Sequence, residues 1–137
     1  MYTNNRDAYR QAFFTTWQKH IKKQPLEAAE SQLVEIMLQH PEYHALLENP
    51  TAYQHQAFTL EENPFFHMSL HLALREQIRT NRPAGITHCY QQLLLRYPCA
   101  QEAEHRMMRC LAQILWQAQE SGDLPSEEGY LASLQQL

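Results

Sequence analysis

Glycine is scarce in this chain, with three in 137 residues. So few glycines leave little room for tight left-handed turns, and no alternation of apolar and polar residues accompanies them, which excludes a sheet-based fold and a glycine-rich phosphate cradle. Basic charge is also thin. Eleven Lys and Arg face 15 Asp and Glu, for a net charge of -4, and the basic residues form no stripe along which a phosphate backbone could run, so nucleic acid is excluded as a partner. No apolar run approaches the length needed to span a bilayer, and the opening MYTNNRDAYRQAFF lacks the apolar centre of a signal peptide. No membrane partner is expected, and a cytoplasmic location is. The three cysteines, Cys89, Cys99 and Cys110, are odd in number, ten and eleven residues apart, and contain no CxxC pair. Buried free thiols are the expected reading.

Hydrophobic residues at 44% and charged residues at 19% give a globular composition, and 137 residues suit one domain. The expected fold is all-α, a single domain over 1–137 forming a compact bundle of five or six helices. Tyr9, Phe13, Trp17 and Ile21 share one face of a first helix over Asp7 to Lys22. Pro25 suits the start of a second, with Leu26, Ala29, Leu33, Ile36 and Met37 turned inward and His40 next on the same stripe. Pro41 forces a break, and a short turn through His44 and Leu47 follows. Residues 49–62 lack a clear period and read as a long loop that Tyr53 and Phe58 would pin down. Asn63 and Pro64 read as N-cap and first residue of a third helix reaching Thr80. A fourth spans Ile86 to Tyr97, ended by Pro98, and a fifth runs from Ala100 to Ser121. Ser126 caps a last short helix with Tyr130, Leu134 and Leu137 as its apolar edge.

Against this frame the histidines are misplaced. His67 and His71 stand four apart on a stripe with Leu74 and Ile78, His40 and His44 bracket HPEYH, and Glu104-His105 open the apolar stretch EHRMMRCLAQILW. Residues four apart on a helix are neighbours, so two imidazoles can converge on one small object. Glu104 shares an arc with Met107, Met108, Leu111 and Leu115, an inward position that a carboxylate takes only with a partner. His105 lies at the edge of that arc, whereas Glu102 faces the polar side with Arg106 and Arg109, which weakens an ExxH reading of Glu102 and His105. Glu76 falls opposite His67. Ser69 has no glycine elbow around it, and neither Cys110 nor Cys89 is placed to pair with a histidine, so nucleophilic catalysis is not expected.

The strings HPEYH, NPFFHMSLHLALREQI, NRPAGI, EAEHRMMRCLAQILWQAQ and GYLASLQQL resemble the DUF1841 family, small bacterial proteins of unknown function, over nearly the whole chain. The resemblance implies a cytoplasmic bacterial protein and transfers no catalytic role. The family pattern often carries a histidine where this chain has Gln101, a departure that removes one ligand from any site built on it.

Two functional readings follow from the residues. In one, His67 and His71 form the core of a transition-metal site, completed by His105, Glu104, His44 and His40, and holding zinc, iron or manganese in a helical interior. An open coordination position could then activate water for hydrolysis, with Glu104 as ligand or general base. In the other, the same groups hydrogen-bond one another without a metal in a non-enzymatic interaction or structural protein, and an apolar helix face would serve a homodimer.

Overall fold

Asn63 shows how local chemistry sets the helix boundaries in the computed structural model. Its Oδ1 accepts hydrogen bonds from the backbone N–H groups of Phe65 and Phe66, at 2.9 and 3.1 Å, and Pro64 follows as first helical residue. These bonds satisfy two of the amides that a helix start leaves without partners. The structure describes residues 2–137, and side chains from residue 7 onward. In chain order the helices are α1 (Tyr2–Ile21), α2 (Ala28–Leu38), a 3₁₀ turn at Pro41–Tyr43, α3 (His44–Leu47), α4 (Pro50–Tyr53), α5 (Pro64–Thr80), α6 (Ile86–Arg96), α7 (Ala100–Ser121) and α8 (Glu127–Gln135). No strand occurs among the described residues, so the all-α class holds. Six of the α-helices have nine or more residues, and α3 and α4 are single turns of four. Among the described residues no helix is long and apolar enough to cross a membrane.

Three expectations need correction. The second helix begins at Ala28 rather than Pro25, because the Glu30 carboxylate accepts the Glu27 backbone N–H at 3.0 Å and makes Glu27 the N-cap. The stretch expected as one loop contains α4, started by Pro50 and capped by Asn49, whose Oδ1 accepts from the Ala52 N–H at 3.4 Å. The cysteines are free, yet none is fully buried, and Cys99 is exposed. Elsewhere the punctuation matches. Ser126 accepts from the Gly129 N–H at 3.0 Å to start α8, and Gly122 ends α7 in the left-handed conformation at φ 76°.

The chain divides into two compact units, the first ending at Ser69 and the second running from Leu70 to Leu137. In the first, α1 packs on α2 and α3. Phe13, Phe14 and Trp17 are buried on α1, while Tyr9 and Ile21 at the ends of the expected stripe are exposed. The Phe65 ring meets Phe13 and Phe14 edge-on at 5.4 and 5.6 Å. Buried Arg10 holds the segment after α4, donating from Nη1 to the carbonyls of Tyr53, Gln54 and Gln56. Its guanidinium also lies 4.8 Å from the Phe65 ring centre.

In the second unit α6 packs on α7, and α8 packs on both. Ile86, Leu93, Ala103, Met107, Met108, Leu111, Tyr130 and Leu134 are buried, the large apolar ones contributing about 2 kcal/mol each. The Tyr130 hydroxyl donates to Gln77 Oε1 at 2.7 Å, which satisfies the polar tip of a buried ring.

Replacing Asn63 by Ala should lower folding stability by about 1 kcal/mol, read as a lower urea midpoint at unchanged slope, while Asn63→Asp keeps the cap. An unchanged midpoint for Asn63→Ala would show that the cap contributes nothing.

Candidate metal centre

Helical spacing places the polar groups of the second unit. On α5, His71 and Leu74 are fully buried, and Arg75, one turn beyond His71, stays on the same side of the helix. On α7, Glu104 begins the buried stripe that continues through Met107, Met108 and Leu111. On α6, Tyr90 falls four residues after buried Ile86 and three before buried Leu93. These three helix faces meet at the Glu104 carboxylate.

Glu104 is 2% exposed, and three side chains donate to it. His71 Nε2 lies 2.7 Å from Oε1, Arg75 Nε lies 3.1 Å from the same oxygen, and the Tyr90 hydroxyl donates to Oε2 at 2.9 Å. Burial opposes ionisation of this acid, but the bonds from His71, Arg75 and Tyr90, with the charge of Arg75, outweigh it and hold the pKa at about 2. Burial, the bond to Glu104 and the carboxylate charge push the Tyr90 phenol up to about 12, so it remains a donor. His71 donates from Nε2 to an ionised acceptor. In a neutral imidazole that proton position leaves the lone pair on Nδ1. The half-buried ring of His105 stands beside His71, with centroids 5.7 Å apart, and a ring nitrogen of each lies within 4.8 Å of the other.

The structure thus groups His71, Glu104 and His105. The three other histidines expected in the site belong to the first unit and have local partners there. His40 is buried, its Nδ1 is 3.1 Å from Glu42 Oε2, and its ring stacks on Tyr43. His44 donates from Nε2 to the Met37 carbonyl at 2.7 Å, and its ring centre lies 4.5 Å from that of Trp17. His67, expected on a buried side, is only half-buried, because its Nε2 reaches back to the Glu61 carbonyl at 2.7 Å. Glu76 is exposed and pairs with Arg79, consistent with its exclusion from the site.

Sequence reasoning did not single out Arg75 or Tyr90. Both carry a signal in their spacing: Arg75 stands four residues after His71, and Tyr90 lies on the Ile86–Leu93 stripe with a hydroxyl that needs a partner when buried. An acid with a pKa near 2 and both oxygens occupied is a poor proton acceptor at neutral pH. Glu104 is therefore a poor general base, and it accepts the bond from His71 Nε2.

A folded pKa of about 2, below the ordinary 4.5, means that Glu104 contributes stability above pH 4.5 that is lost as pH falls towards 2. The contribution is on the order of 3 kcal/mol for a buried group with this shift. Glu104→Gln should be less stable than wild type at pH 7, and the gap should close as the pH is lowered through this window. Denaturant melts of both proteins across that range check it, and a gap independent of pH would show that Glu104 is not held ionised.

A family model described as a domain of unknown function, DUF1841, matches residues 5–136. No curated protein and no solved structure matches the chain. With nearly its whole length covered by that one model, and with the resemblance of its motifs, the chain belongs to the DUF1841 family.

Proposed function

We propose that this protein binds a transition metal through His71 and His105 in its second unit, with Glu104 as the carboxylate that orients His71. The observation that carries the reading is the 2.7 Å bond from His71 Nε2 to a buried, ionised Glu104, beside a second imidazole whose nitrogen lies within 4.8 Å. Metal-ligating histidines commonly donate their other ring N–H to a carboxylate, which fixes the tautomer and strengthens the ligating nitrogen. Two imidazole nitrogens on one tetrahedral ion stand about 3.3 Å apart. His44 and His67 bond backbone carbonyls within the first unit, and the proposal does not draw on them.

His71 and His105 would hold the metal. A metal held this way would supply a water of lowered pKa, and the reaction class that would fit is hydrolysis of a small polar substrate. Zinc, iron and manganese all accept imidazole.

A second reading is favoured by one observation, the three donors that already satisfy Glu104. In it the cluster is a hydrogen-bond network that fixes helix register, with no metal and no reaction.

Metal content separates the two. Protein purified without a tag or chelator, or reconstituted with zinc, should carry close to one equivalent of metal and gain thermal stability from it. His71→Ala and His105→Ala should each abolish both effects. Glu104→Gln should retain the metal with an affinity roughly 10- to 100-fold weaker, as expected when an outer carboxylate is altered. Metal below roughly a tenth of an equivalent after reconstitution, with zinc leaving the melting temperature of each of the four proteins unchanged, would leave the network reading in place.

A further inference from the structure

On the outer side of His105 an open cavity of about 430 Å³ is lined by Cys99, Gln101, Glu102, His105, Arg106 and Arg109. Its charged groups are unbalanced. Two guanidiniums face it against one carboxylate, and that carboxylate is already used, with Glu102 Oε1 accepting from Arg106 Nη2 at 3.2 Å. The Arg106 guanidinium is held in place from its other side, 4.0 Å over the ring of Tyr97. It is therefore ordered before any ligand arrives, and its Nε is a buried donor with no acceptor. Arg109 lies three residues further along the same face of α7, is exposed, and forms no ion pair among the described residues. Residues 102, 105, 106 and 109 share this face because they recur at helical spacing.

We infer that this cavity binds the phosphate group of a small phosphate monoester, with Arg106 and Arg109 as the recognising residues and His105 at the inner wall. Guanidinium presents a planar fork of donors that matches oxyanions, and charge-assisted bonds of this kind are about twice as strong as neutral ones. A monocarboxylate needs one such fork, whereas two cationic forks one turn apart suit a dianion with three acceptor oxygens. A preorganised arginine loses little freedom on binding, so affinity is gained without reorganising the site. This assignment extends the metal reading, since His105 borders both places, but it rests on separate residues and holds without a metal.

The test is a titration of ¹⁵N-labelled, chelator-treated protein with inorganic phosphate at constant ionic strength, followed by the backbone amides of residues 99–109 and the arginine Nε–H signals. Saturable shifts confined to these groups are expected, with acetate binding roughly tenfold more weakly because it offers fewer acceptors and less charge. Arg109→Gln should weaken phosphate binding by roughly tenfold at an unchanged melting temperature, since the side chain is exposed and has no ion pair. Arg106→Lys keeps the charge but loses the fork, and should weaken binding similarly. Linear shifts spread over the surface, acetate binding as tight as phosphate, binding unaffected by Arg109→Gln, or phosphate binding that occurs only after zinc is added would each overturn the inference. Saturable binding in protein that takes up no metal would support it while removing the metal reading.

Discussion

An ionised carboxylate inside a helical core is the constraint on which the second unit depends. Moving such a charge out of water costs several kcal/mol unless donors replace the lost hydration, and here α5 and α6 supply them to an acid carried by α7. The bonds from His71, Arg75 and Tyr90 are directional, unlike the contacts of Met107 or Leu111, so a shift of one helix by a residue would break them while leaving much of the apolar contact intact. Apolar burial holds the unit together, and the carboxylate ties α5, α6 and α7 to one another through directional bonds.

Those bonds have a chemical consequence. The donors that keep Glu104 charged also make it too weak a base to take a proton at neutral pH, so its influence passes to His71. Holding a proton on Nε2 of His71 sets which nitrogen carries the lone pair, and His105, half-buried on the next residue of α7, brings a second imidazole beside it. His105 also borders the arginine-lined cavity, so one side chain connects the buried network to an opening where a ligand can enter.

Much of the helix order was legible because helix ends are local events. Asn63-Pro64, Ser126, Gly122 and Pro98 act through neighbouring backbone groups, and each stands at a helix boundary in the structure. The inward position of Glu104 was legible as well, since three- and four-residue spacing alone puts it in line with Met107, Met108 and Leu111. Its association with His71 was expected, but Arg75 and Tyr90 were not, because joining α5, α6 and α7 at one carboxylate is a relation no single helical wheel contains. The start of α2 was misplaced for a related reason: Pro25 is a strong local signal, but the Glu27–Glu30 cap lies between it and the helix. His67 belongs to the expected stripe yet turns back to the Glu61 carbonyl, since a long imidazole near a helix start can reach the preceding loop. The thiols failed the expectation of burial: Cys89 and Cys110 are half-buried within α6 and α7, and Cys99 is the exposed N-cap of α7.

The central claim is that Glu104 fixes His71 as an Nε2–H donor and that His71 and His105 together bind a metal. Long-range ¹H–¹⁵N correlation spectra of the imidazole rings, recorded on metal-free protein and again after one equivalent of zinc, test it most directly. The account predicts His71 protonated at Nε2 before zinc is added, with its Nδ1 signal and one nitrogen of His105 shifting together on addition while the Nε2–H remains in place. A His71 proton on Nδ1, or imidazole spectra that zinc leaves unchanged, would contradict it.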